Sequence, residues 1–266
     1  MAYQQRSWAA IDRRRAGYRR AFRKVFQKAL DKQIEPILKE LQFIDVRNTS
    51  FADVEIDNSG IEKAYDRVYR TVAMEFAEFD RKQALKAAGK PTLTKDDDIW
   101  RETMMRQIDA YIATGAVGRN IQIVGDTSKE YLQKLLNDLI IEVNEQGLGI
   151  GAAQTMLRDK LTSQWHRSMR YRTERIVRTE ITAASNWGSL EGIKSTGLPH
   201  NKTWLTSPGE RTREWHAAAD GQTVDINSPF IVDGEPLMEP GDGNASAGNI
   251  INCRCSMTFE LKSMNI

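Results

Sequence analysis

The chain has 266 residues, of which 40% are hydrophobic and 28% charged, and its formal net charge is +2. This length allows one large domain or two smaller ones, and the near-neutral balance favours no class of partner. Two cysteines are too few for a secreted disulfide framework. The N-terminal stretch lacks an apolar signal-peptide core, and no apolar run reaches transmembrane length. We therefore expect a soluble protein made in a cytoplasm, without secretion or membrane anchoring.

The first part of the chain has the pattern of a helical protein. Apolar side chains recur at helical spacing from Tyr18 to Leu41, with arginine and lysine between them. Pro36 should kink or split this first helix because it lacks a backbone N–H. Two more helices are predicted over residues 61–88 and 99–116, on either side of a breaker-rich connection.

Three further helices are predicted before residue 196. The run Thr127-Ser-Lys-Glu130 has the form of a capping box and should start the first of them. A short helix is expected over residues 152–161 and a long one over 163–195, which the stretch "TGLP" should end.

The composition changes after residue 198. Nine of the 18 glycines lie from Gly188 onward and five of the seven prolines from Pro199 onward. Five short β-type runs follow, "KTWLT", "TVDI", "PFIVDG", "EPLM" and "CRCSMTFEL". Such short strands bury little alone, so the helix over 163–195 should pack across them. The predicted fold class is α+β, with a mostly helical region over 1–160 and a small β-rich α+β module over 161–266.

The N-terminal helix is strongly basic. Between Arg6 and Lys32 there are ten Lys or Arg residues against two Asp. Such a helix can neutralise phosphates without reading sequence, seat on an acidic partner surface, or simply present a solvated face. The candidate contact residues are Arg13, Arg14, Arg15, Arg19, Arg20, Arg23 and Lys24.

Glu180 lies inside an apolar helical stripe in "ERIVRTEITAASNWGSLEG", between Val177 and Ala184. A carboxylate placed there must be paired or protonated. We expect a buried pair between Glu180 and an arginine that fixes how the helix docks. A catalytic carboxylate with a raised pKa is the alternative.

The stretch "WLTSPGERTREWHAAADGQ" brings a histidine near several charged groups. Arg211, Arg213, His216 and Asp220 could support general-base chemistry or bind a metal ion. No nucleophile elbow, H-E-x-x-H or phosphate loop accompanies them. We expect His216 to hydrogen-bond and fix a turn.

The only cysteines in the chain, Cys253 and Cys255, lie two apart in "NCRC". On a strand both thiols would face one side, with a Cα separation of about 6.6 Å that would strain a disulfide. They could bind zinc with His216 and with Asp220 or His200 as a fourth ligand. Two thiols packed as small hydrophobic groups are the default, so no cofactor is expected and zinc is the alternative.

Taken together and in order, these motifs resemble the phage head morphogenesis family, the minor head proteins similar to phage Mu protein F and the SPP1 minor capsid protein. The resemblance covers about residues 172–261, and the first 160 residues carry no motif that we can assign. Besides the stretch 230–242, the motif residues are Arg178, Thr179, Glu180, Trp204, Arg211, Arg213, His216, Asp220, Gly221, Gln222, Asn252, Cys253, Arg254 and Cys255.

The resemblance implies a low-copy structural protein of the virion or procapsid, made in the host cytoplasm, at the portal vertex or capsid interior. Portal, capsid and scaffold proteins, and packaged DNA, are the implied partners. Similarity of such modules to ADP-ribosyltransferase folds makes an enzyme the rival, either a transferase or a metal-dependent nuclease using Glu180 and His216. Gly209 stands where family members often have an aspartate, which weakens an acid–base role there.

Overall fold

The computed structural model describes residues 7–91 and 96–262 and confirms the α+β class. Its helices are α1 (Trp8–Lys32), α2 (Glu35–Glu40), α3 (Ser59–Val68), α4 (Met74–Ala87), α5 (Asp96–Thr114), α6 (Ala116–Glu145), α7 (Ile150–Lys194), α8 (Glu214–Ala218) and α9 (Ala247–Ile250). Its strands are β1 (His200–Leu205), β2 (Thr223–Asp225), β3 (Phe230–Val232), β4 (Glu235–Leu237) and β5 (Ser256–Leu261). All five predicted strands are therefore present.

The break at Pro36 is confirmed. Helix α1 ends at Lys32, and Pro36 lies in the first turn of α2, where its missing N–H costs no helical hydrogen bond. The helix predicted over 61–88 is also present as α3 and α4, joined by a π-helical turn at Tyr69–Ala73.

Two helix boundaries were predicted wrongly. Thr127 starts no helix but lies inside α6, where its hydroxyl donates to the Ile123 carbonyl at 2.6 Å. Ser128 bonds back to Val124 in the same way, because hydroxyls inside a helix can use the carbonyl one turn earlier. The helices predicted over 152–161 and 163–195 are one continuous helix, α7, of 45 residues. No glycine or proline interrupts the sequence between them.

The β-rich part contains an antiparallel sheet of three strands in the order β2–β1–β5 and a separate β3–β4 hairpin. Trp204 on β1 lies opposite Met257 on β5. In the hairpin, Asp233 and Gly234 both have positive φ, 54° and 75°, as a two-residue turn requires.

The C-terminal end of α7 packs on these strands, as predicted. Leu190 and Ile193 share one buried core with Trp204 and Phe230. Helix α7 also lies close to the π-helical turn and to α4, where it carries Gly188 and Gly192. A Cβ added at Gly188 would lie 2.2 Å from the Ala73 carbonyl oxygen. Only glycine allows the two backbones to approach so closely.

The chain forms two compact units, each built from separated segments. The sheet unit comprises residues 1–22, 65–118 and 175–266, and the helical unit comprises residues 23–64 and 119–174. Inside the helical unit, the Trp165 indole donates to the Leu30 carbonyl at 2.9 Å. The predicted boundary between residues 160 and 161 lies within α7, and the assignment of separate roles to 1–160 and 161–266 stays a prediction.

Candidate functional site

The "NCRC" stretch lies in a turn between α9 and β5. Asn252 has a positive φ of 59°, a conformation that asparagine tolerates better than most residues. Its backbone N–H donates to the Thr179 hydroxyl at 3.0 Å, and Arg178 donates to its side-chain oxygen at 3.2 Å. Two motifs separated by more than 70 residues are therefore in direct contact. The cysteines precede the strand on which we predicted them.

Both thiols nevertheless face one side, toward His216 on α8. The His216 Nδ1 atom lies 3.5 Å from the Cys255 sulfur and 3.8 Å from the Cys253 sulfur. All three side chains are buried, each with 2% or less of its surface exposed. The rings of Trp204 and His216 pack edge to face, with 5.7 Å between their centroids.

The two thiols are electrostatically unequal. A hydrogen bond from the Cys253 thiol to Cys255 raises the pKa of Cys253, and burial raises it further. The same bond lowers the pKa of Cys255 below its usual value, although burial acts in the opposite direction. Cys255 therefore carries the more thiolate-like sulfur of the pair.

Arg15 of α1 lies beside this turn, fully enclosed. Its Nη1 donates to the carbonyls of Arg254 and Cys255 at 3.3 and 3.2 Å. The other two nitrogens donate to Ser185, Asn186 and Ser256, so every acceptor is neutral. Burial lowers the pKa of Arg15 from 12.5 to about 10, and it remains charged at neutral pH.

Glu180 is buried, as predicted, with 2% of its surface exposed. Its carboxylate accepts hydrogen bonds from the hydroxyls of Tyr65 at 3.2 Å and Tyr69 at 3.3 Å. Burial and then Glu180 raise the pKa of Tyr69 well above its usual value, so the hydroxyl stays protonated and donates. These two donors lie on α3 and on the π-helical turn that follows it, and the arginine partner of Glu180 stays a prediction.

The two candidate fourth zinc ligands lie elsewhere. Asp220 accepts from the Thr206 backbone N–H at 2.7 Å, which fixes the turn whose next residue, Gly221, has a φ of 77°. His200 bonds to the Leu198 carbonyl through Nδ1. Across residues 7–91 and 96–262, the three-residue group that could hold a metal ion is His216, Cys253 and Cys255.

Residues 133–258 match the family model described as phage Mu protein F like protein. This part of the chain is similar to phage Mu protein F. The predicted resemblance is thereby confirmed, and the relationship supports a phage head protein.

A curated relative, "NAD(+)--arginine ADP-ribosyltransferase EFV" of Enterococcus faecalis (strain ATCC 700802 / V583), is 22% identical over 153 residues. That alignment covers 58% of this chain but only 30% of the relative. The search of solved structures found no match. None of the helices in the described ranges combines the length and apolar character that crossing a bilayer requires.

The basic residues of α1 have very different environments. Arg15 was predicted as a surface contact but is buried, with 1% exposed, so that prediction is wrong. Arg14, Arg19 and Arg23 form ion pairs with Glu75, Asp12 and Glu174, respectively. Arg13, Arg20 and Lys24 have exposed side chains.

The remaining motif arginines lie near the same turn or at the surface. Arg213 donates to the Ile251 carbonyl at 2.5 Å, so it holds the segment before "NCRC". Arg211 is exposed, and Arg254 is partly buried between the two inward-facing cysteines.

Sequence reasoning assigned Arg15 to the surface and missed Asn249, and both residues contact the motif. Arg15 lies on the same helical stripe as the buried residues Ile11 and Phe22. A charged residue within an apolar stripe indicated burial for Glu180, and the same pattern applies to Arg15. Asn249 accepts from the Trp215 indole at 2.8 Å and lies 3.1 Å from His216 Nε2. No local pattern marks it, because its partners lie more than 30 residues away.

Proposed function

We propose that this protein is a phage minor head protein, a low-copy component of the procapsid or virion. It would associate with the portal vertex and with capsid or scaffold proteins, and act in head assembly and in genome packaging or delivery. The observation that supports the proposal is the family match over residues 133–258. The use of motif side chains such as Arg178 and Asn252 in internal contacts fits a structural module.

The test is the copy number in purified heads. Procapsids assembled with this chain and its phage's other head proteins are quantified by mass spectrometry against the major capsid protein. We expect a few tens of copies or fewer per head, and cross-links to the portal. Heads that lack the chain, or that carry it in a copy number matching the major capsid protein, contradict the proposal.

We further propose that exposed basic residues of α1 contact packaged DNA. Arg13 and Arg20 are seven residues apart on this helix and both point to solvent. Each phosphate contact contributes about 0.9 to the slope of log affinity against log salt concentration. The variant Arg13→Gln/Arg20→Gln should lower that slope by about 2 if both residues bind phosphate. The matched control removes two other exposed charges, Lys86→Gln/Lys90→Gln. Equal slopes in both variants would exclude α1 as the DNA contact.

ADP-ribosyl transfer is the second candidate, because of the name of the curated relative. An acid-base or nucleophilic carboxylate must reach its substrate, whereas Glu180 is enclosed beneath Tyr65 and Tyr69. Incubation with NAD⁺ and an arginine-containing acceptor should therefore give no product. Turnover that disappears in Glu180→Gln would overturn the purely structural proposal. The nuclease alternative is tested with the same variant and His216→Asn on linear DNA.

A further inference from the structure

The buried group formed by His216, Cys253 and Cys255 has the geometry of a metal centre. The three ligand atoms all lie within 4.8 Å of one another. Around a tetrahedral zinc ion, bonds of about 2.3 Å to sulfur and about 2.0 Å to nitrogen place sulfur and nitrogen about 3.5 Å apart. The observed nitrogen–sulfur distances are 3.5 Å for Cys255, which equals that value, and 3.8 Å for Cys253, which is slightly longer.

The hydrogen bonds behind His216 fix which ring nitrogen faces the sulfurs as a free ligand. The Trp215 indole can only donate, so the Asn249 atom that it contacts at 2.8 Å is the amide oxygen. That oxygen can accept but not donate, so the His216 Nε2 atom, 3.1 Å away, carries a hydrogen. In the neutral ring, Nδ1 is then the nitrogen without a hydrogen, and its lone pair faces the two cysteines. A histidine whose second nitrogen donates to a fixed acceptor is the arrangement found around bound metals.

Charge and access also favour a metal over three isolated groups. Two thiolates and one divalent ion sum to zero, which removes the cost of burying either charge alone. Within the described ranges no fourth His, Cys, Asp or Glu joins the group, so a water molecule would complete a tetrahedron. Because the three ligands are 2% or less exposed, the ion would be acquired during folding and would stabilise the turn that carries the motif.

We propose that His216, Cys253 and Cys255 bind one zinc ion, with Asn249 as a positioning residue. This site is independent of the role proposed in the phage head. It would be structural, since the ligands are enclosed and the ion would link α8 to the segment entering β5.

Metal analysis of the purified full-length chain gives the first test. We expect about one zinc per chain, lost in Cys255→Ser and in His216→Asn. The control His166→Asn, which changes a partly exposed histidine far along the chain, should keep its zinc. Protein that contains no zinc after refolding with zinc chloride overturns the proposal, and so does zinc retained in Cys255→Ser. Copper found in place of zinc would overturn the choice of metal.

The second test does not depend on ligand variants that fold. Wild-type protein refolded with Co²⁺ should show the sulfur-to-cobalt charge-transfer absorption and the visible bands of a tetrahedral site. Asn249→Ala should keep those bands but bind zinc about 10- to 100-fold more weakly, because the orientation of His216 is lost. Absence of the charge-transfer band in the wild type, or a Cys253–Cys255 disulfide in its mass spectrum, contradicts the site.

Discussion

Replacing Arg15 tests whether a buried cation holds α1 against the "NCRC" turn. Arg15→Ala removes five hydrogen bonds and leaves a cavity the size of the side chain. Hydrogen bonds from a charged group contribute about 1.5–3 kcal/mol each, but the guanidinium also gave up several kcal/mol of hydration on burial.

Most of the acceptors keep another donor after the change. The Arg254 carbonyl still accepts from Trp8, and the Cys255 carbonyl still accepts from Asn186. The remaining loss is mainly packing and cavity, so we expect Arg15→Ala to lower the free energy of unfolding by about 3 kcal/mol. Arg15→Met, which fills the space without a charge, should cost about 1 kcal/mol.

The assay is thermal unfolding followed by circular dichroism, supported by urea titration. A loss of 3 kcal/mol corresponds to a fall in melting temperature of about 6–12 °C for a chain of this size. Arg13→Ala, on the same helix but exposed, is the control and should change stability by less than about 0.5 kcal/mol. If Arg15→Ala and Arg13→Ala melt at the same temperature, the buried hydrogen bonds contribute no net stability and the reasoning is wrong.

Two further predictions concern packing and pH. Gly188→Ala should lower the melting temperature by several degrees, because its Cβ would overlap the backbone of the π-helical turn. The control Gly151→Ala lies in the same helix, where the added Cβ meets no atom within 4 Å, and it should stabilise the protein by about 0.5–1 kcal/mol. Equal melting temperatures for the two variants would show that the helices separate freely. Burial raises the pKa of Glu239 from 4.5 to about 8, against the opposing charge of Lys202. The folded state therefore keeps a proton that the unfolded state releases, so the contribution of Glu239 to the free energy of unfolding should fall as pH rises from about 4.5 to about 8. Urea titrations of the wild type and of Glu239→Gln isolate this contribution as the difference between their free energies of unfolding, and the exposed control Glu260→Gln should show no such trend. A wild-type free energy that rises with pH relative to that of Glu239→Gln over this range would contradict the expected sign.

The β-rich part was predictable, because turn residues and alternation are local signals. The approach of the cysteines to His216 entered only through the zinc alternative, because it joins residues 37 and 39 positions apart. The extent of α7 was not predictable. Weak helix formers near Ser163 resemble a helix boundary, but the free energy that they cost is smaller than the free energy gained by tertiary packing. The tyrosine donors to Glu180 and the partners of Arg15 were also not predictable from the sequence. Composition marks a basic helix, but which arginine is covered depends on Ser185 and Ser256, residues about 170 and 240 positions away.

The contacts from Trp8 and Arg15 to the Arg254 carbonyl have a consequence for the order of folding. A ribosome adds about 5–20 residues per second, so roughly 12–50 s separate the synthesis of α1 from that of its partner turn. During that interval the apolar stripe of α1 and the Arg15 guanidinium lack the C-terminal groups that enclose them. The packing of the first helix therefore stays incomplete until the last strand has been synthesised. A fragment limited to the family-matched segment would lack the part of the core that the first helix supplies.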